Sequence, residues 1–174
     1  MTQEIVNRVA SSTLQTINLE DFFPENERVS IDIKEFLSEE GILREKEFRK
    51  KLDNFNFFQF TDKFVALNCS VEAILPSWTY FLLASHLQPF AKIITFGNLA
   101  DLEREIFIQT INSIDWEKYR NQKVIVKGCS HKQIPQSAFV YLIQKLQPLA
   151  QSIMFGEACS NVPIFKAKSN LSKN

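Results

Sequence analysis

The chain has 174 residues, sixteen of them phenylalanine, with 45% apolar residues, 23% charged residues and a formal net charge of zero. That length gives one domain, or two very small ones, with room for a substantial core. The balanced charge speaks against a nucleic-acid binder, which carries a basic patch.

The start, MTQEIVNRVASS, lacks a basic segment followed by an apolar run, and no uncharged apolar stretch reaches the ~18 residues of a spanning helix. Three cysteines are too few, and odd in number, for a disulfide framework. The expectation is a cytoplasmic protein with reduced thiols, no secretory leader and no membrane segment.

LQTINLEDFF and RVSIDIKEFL flank the turn-like PENE. In the second run Val29, Ile31 and Ile33 alternate with Ser30, Asp32 and Lys34, the period of a strand with one buried face. The economical reading is a β-hairpin over residues 14–37. After Gly41 the spacing becomes helical: ILREKEFRKKLDNF places Leu43, Phe48, Leu52 and Phe55 along one side. FVALNC reads as a buried strand, SWTYFLLASHLQ as a helix ended by Pro89, and AKIITFG as another strand. LADLEREIFIQTINSI (helix), KVIVKGC (strand), QSAFVYLIQKLQ (helix) and AQSIMFG (strand) then repeat that order.

The two series align at an offset of 59 residues, or 60 at the cysteines. Cys69-Ser70 matches Cys129-Ser130, Pro76 matches Pro135, and Phe96-Gly97 matches Phe155-Gly156. Residues about 42–97 and 101–156 therefore read as two duplicated helix–strand–helix–strand units. The expected architecture is a single α/β domain over residues 1–165, with one mixed, mostly parallel sheet and the hairpin at an edge. Residues 166–174 are expected to form a flexible polar tail.

Cys69 and Cys129 end equivalent strands, and Cys159 follows the last strand, so parallel pairing puts all three at the carboxyl rim, where open α/β sheets collect ligands. The preferred reading is a Zn²⁺ site on Cys69, Cys129 and Cys159, with His131 a candidate fourth ligand; an iron–sulfur cluster is the lesser choice. A second reading makes one thiol a nucleophile or sulfur carrier, acidified by helix amides. A phosphatase-type loop is excluded, since Leu75 and Pro135 stand where Cys-x₅-Arg needs arginine. The third reading is a non-catalytic interaction module whose cysteines pack the core. It explains Cys159 poorly, because Ala100 stands at the matching place. His86, Trp78 and Trp116 read as structural. With only four glycines and no glycine-rich cradle, nucleotide binding is unsupported. A protein partner and a homo-oligomer both stay open.

At EIVNRV, ERVSIDIKEFL, CSVEAILPSWTYFLLA, KGCSHKQIPQSAFV and IMFGEACSNVPIFK the chain resembles domain-of-unknown-function family 2480, an uncharacterised bacterial family. The resemblance covers nearly the whole chain. It implies a role accessory to iron–sulfur or sulfur metabolism and includes the three Cys-Ser pairs. It also implies that the position of His131 varies, often to lysine, which weakens imidazole as the fourth ligand.

Overall fold

The structure, a computed structural model, describes residues 14–128 and 131–168. Seven strands and four helices follow in chain order: β1 (Leu14–Ile17), β2 (Arg28–Asp32), α1 (Glu45–Asp53), β3 (Phe64–Asn68), α2 (Trp78–Leu87), β4 (Ile93–Phe96), α3 (Leu99–Ser113), β5 (Lys123–Val126), α4 (Gln136–Leu146), β6 (Ser152–Glu157) and β7 (Ser160–Lys166). The architecture is α/β with mostly parallel strands. The strands form two sheets rather than one, ordered β2-β3-β4 and β1-β5-β6-β7. The chain divides into two compact units. Unit 2 comprises residues 24–107; the described part of unit 1 comprises residues 14–23, 108–128 and 131–168.

In unit 2 all three strands are parallel, with Arg28 opposite Phe64 and Phe64 opposite Ile93. Strand alternation sends Val65 and Leu67 to one face, into a cluster with Phe48 and Leu52 of α1 and Leu83 and Leu87 of α2. It sends Phe64 and Ala66 to the other face, where they meet Ile93 with Leu102 and Ile106 of α3. Both faces of β3 are covered, which is why FVALN reads as an unbroken apolar run. Arg28 reaches across to Glu103 through two bonds of 3.1 Å, and its guanidinium lies 5.3 Å from the Phe64 ring centroid.

In unit 1, β1, β5 and β6 are parallel and β7 returns antiparallel on β6. Val126 of β5, Leu142 and Leu146 of α4, Ile153 of β6 and Ile164 of β7 border one apolar cavity of about 240 Å³. Trp116, buried after α3, donates its indole N–H to the Ile111 carbonyl at 2.7 Å.

Several pairings and hydrogen bonds recur in both units. Phe64 opposite Ile93 in one sheet corresponds to Lys123 opposite Ser152 in the other. Asp62 donates its amide to Phe90 O at 3.0 Å, and Asn121 to Leu149 O at 2.9 Å. Those two donors hold φ of 60° and 57°. The amino-terminal strands match as well: Ile31 lies opposite Leu67, and Ile17 opposite Val126.

The expected hairpin at 14–37 takes a different form. Both strands exist, but β1 pairs with β5 and β2 with β3, in separate sheets. Hydrophobic alternation sets which face of a strand is buried; it does not set which strand lies beside it. Each of these strands ends in a 3-10 turn, Leu19–Phe22 and Ile33–Phe36, rather than in a hairpin loop. β7 was not expected. Its Pro163 sits opposite Met154 on an edge strand, a place where a missing N–H is tolerated. Of the predicted tail, residues 169–174 lie outside the described residues. No helix among the described residues is long and apolar enough to cross a membrane.

Candidate functional site

The carboxyl edge of the β2-β3-β4 sheet is organised by Asp32. It ends β2 and caps the turn that follows, with Oδ1 accepting the Lys34 amide at 3.0 Å. The same oxygen accepts the Ser70 amide at 3.0 Å, so the loop after β3 is tied to the end of β2. Burial pushes the Asp32 carboxyl up, but the Ser70 hydroxyl and the two amides bond the ionised form, and the net shift is downward from 3.8. Tyr80 of α2 is pushed the other way, up from 10.0, by burial first and then by Cys69 and Asp32. Beside this cluster the Ser30 hydroxyl donates to Asn68 Oδ1 at 2.9 Å.

Unit 1 repeats the device with different side chains. Asn18 Oδ1 accepts the Glu20 amide at 3.2 Å. The Glu20 carboxylate accepts the amides of His131 and Lys132, the latter at 2.8 Å. Lys132 Nζ lies 4.4 Å from the Phe23 ring centroid. Each amino-terminal segment thus fastens the loop that follows its partner strand. The likeness of INLEDFF to IDIKEFL carries the signal in sequence.

The three-cysteine metal site is overturned. Among the described residues no group of three His, Cys, Asp or Glu side chains is able to hold a metal ion, so neither Zn²⁺ nor an iron–sulfur cluster has a site there. The physical cause is the split into two sheets. Cys69 follows β3 in unit 2, half-buried, with Sγ donating to Val71 O at 3.4 Å and its side chain against the unit 2 core. Cys159 is exposed in the two-residue turn of the β6–β7 hairpin in unit 1, because the strand after Gly156 continues and folds back. Cys129 lies outside the described residues. His131, the candidate fourth ligand, is held through its backbone by Glu20. Ser70 bonds back to Asp32 rather than capping α2, whose cap residue Ser77 makes no side-chain cap bond. His86 stacks on Phe57 at 5.2 Å, a structural role.

Sequence reasoning missed an apolar surface. Ile74, Phe81 and Phe96 are 99%, 81% and 71% exposed, and Trp78 and Leu99 are exposed with them. Trp78 and Phe81 stand one turn apart on α2, and Tyr80 of the same helix packs edge-on against Phe96 at 4.9 Å. Phe96 ends β4, and β4 is the edge of its sheet among the described residues. In unit 1 the matching edge, β6, is taken up by β7, and Phe139 packs on Phe155 at 5.4 Å.

The chain belongs to the family described as "Protein of unknown function (DUF2480)", which it matches over residues 3–167. No curated protein matches it. No solved structure matches it either.

Proposed function

We propose that this chain is a protein-docking module and that unit 2 carries the docking face, formed by the exposed side of α2 and the free edge of β4. The observation that carries the reading is the exposed Phe96, which ends a strand without a neighbour on one side among the described residues, with Phe81 exposed on α2, the helix whose Tyr80 packs on Phe96. Single exposed apolar residues are ordinary; aromatic side chains grouped around a strand edge are the composition of an interface core. The half-buried Cys69, packed against the unit 2 core, supports a packing role for that thiol. The bonds shared between the units support reading them as two copies of one segment. A cytoplasmic setting belongs to the same proposal, supported by the free thiols of Cys69 and Cys159.

The test is site-specific photo-crosslinking in cells, with a photoreactive phenylalanine analogue at position 81 and, as control, at the solvent-exposed Phe58. Docking on this face gives a discrete adduct from position 81 that disappears with Phe96→Lys. Labelling that is the same from both positions, or indifferent to Phe96→Lys, refutes the reading.

A further inference from the structure

Independently of the docking face on unit 2, we infer that the cavity of unit 1 binds a free, unbranched alkyl chain of about ten carbons that ends in an uncharged polar group. The cavity measures about 240 Å³ and lies among α4, β5, β6 and β7, and every side chain lining it is apolar. Close packing leaves a domain few voids larger than a water. An apolar cavity of about 150 Å³ stays dry and takes up benzene. Scaled by volume, this one takes about ten carbons.

Two backbone features build the walls. At one end Phe155 lies against Gly128, where a Cβ would come within 2.5 Å of the ring. Phe139 packs edge-on to the same ring at 5.4 Å, and both rings line the cavity. The bare Gly128 thus lets Phe155 lie back on the chain after β5 and serve as the end wall. On the open side the ladder steps from the pair Ile153 and Phe165 to the pair Met154 and Pro163, which leaves Ile164 as an extra residue. A bulge re-aims side chains, and Ile164 lines the cavity although exposed to solvent. Among the described residues β7 has no counterpart in unit 2, so this wall is particular to unit 1.

The polarity of α4 sets the ligand's direction. Val140, Ile143, Gln144 and Gln147 stand at i, i+3, i+4 and i+7, one stripe along the helix. Val140 and Ile143 line the cavity. Ile143 also lines a recess of about 470 Å³ with Gln144, Gln147 and Phe165. The stripe therefore runs from apolar to amide. From Phe139 at the end wall to Gln147, eight residues on, the helix rises about 12 Å, the reach of an extended chain of about ten carbons with bonds of about 1.5 Å. Among the described residues no charged side chain lines either space. A carboxylate or ammonium there would lose water without gaining a counter-ion. Side-chain amides donate and accept without charge, which matches an alcohol, ester or amide end.

The experiment is calorimetric titration of the full chain with 1-butanol, 1-hexanol, 1-octanol, 1-decanol and 1-dodecanol. Saturable one-to-one binding is expected, tightening about fourfold per added CH₂ up to about ten carbons and no further. Decanoate is expected to bind about tenfold more weakly than 1-decanol. Gln147→Lys, at an exposed helix end that favours a cation, is expected to reverse that order. Ile164→Trp fills the cavity from an exposed edge strand and is expected to weaken 1-decanol binding at least about tenfold. Circular dichroism checks folding, and if Ile164→Trp fails to fold, the Gln147→Lys reversal decides. Absence of saturable binding overturns the inference. So does a 1-dodecanol that gains the same step again, or a folded Ile164→Trp that binds 1-decanol unchanged. Decanoate binding as tightly as 1-decanol overturns the uncharged end. Flotation of the chain on phosphatidylcholine vesicles that 1-decanol competes away overturns a free ligand in favour of a membrane lipid.

Discussion

Asp32→Ala removes the one oxygen that accepts both the Lys34 and the Ser70 amides. Loss of a capping side chain costs about 0.5–2 kcal/mol, and the second bond, between β2 and the loop after β3, adds about 0.5–1.5 kcal/mol. The sum, about 1–3.5 kcal/mol, is readable as a lower urea midpoint by circular dichroism. Asp32→Asn is expected to keep most of it, because an amide oxygen at the same place accepts as the carboxylate does, and Asn18 caps the matching turn in unit 1 in this way. The residue-level readout is amide exchange: Lys34 and Ser70 lose protection in Asp32→Ala and retain it in Asp32→Asn. The charge adds a pH signature. The folded carboxyl lies below its usual 3.8, so its ionic contribution is fully present above that value and is lost as pH falls through the folded value. Wild type should therefore exceed Asp32→Asn in stability at neutral pH and converge on it in strong acid. Unchanged protection of the Ser70 amide in Asp32→Ala would sink the argument that Asp32 fastens this loop.

Gly97→Ala is expected to cost about 1–3 kcal/mol in urea unfolding, since φ is +125° and a Cβ there would lie 2.3 Å from Asp101 Oδ2; a neutral result would mean that the α3 entry relaxes freely. Thr79 is fully buried with an unpartnered hydroxyl, and Ala138 holds the matching place in unit 1. The isosteric Thr79→Val is expected to be about 0–1 kcal/mol more stable, and a clear loss of melting temperature would show that the hydroxyl has a partner in solution.

The order of helices and strands was legible because each carries its own period, as FVALN and SWTYFLLASHL do. The neighbour of each strand was not, because RVSID shows a buried face without naming what lies beside it. The expected metal site failed at the same step: a shared rim requires one sheet, and Cys69 and Cys159 end up on different ones. Cys159 was misplaced for a second reason. SNVPIFK looks like a loop because of Pro163, yet Pro163 stands opposite Met154, whose matching residue in unit 2, Thr95, faces inward, so no ladder bond is lost. The Asp32 and Asn18 caps were in reach, since a strand followed by Asx and a polar pair before Phe occurs twice between Leu14 and Phe36. The exposure of Phe96 was not, because it depends on which strand lies beside β4, a fact of topology alone.

The nesting of the units has a kinetic consequence. Unit 2 is continuous, and its first pairing joins Arg28 to Phe64; unit 1 must join Leu14 to Lys123 across the whole of unit 2. The second closure spans about three times as many residues, which raises its entropic cost by about 1 kcal/mol. Unit 2 also completes its core from local helices, whereas β1 has no sheet to join until β5 is in place. Unit 2 is therefore expected to form first, after which the chain between β1 and β5 is shortened by everything unit 2 has folded. Pulse-labelled hydrogen exchange during refolding reads this directly: the amides of β3 and β4 should gain protection before those of β5 and β6. Simultaneous protection of both sheets, or β5 ahead of β3, would show that the interleaved unit 1 nucleates without waiting, and that the long closure is held down by interactions in the unfolded chain.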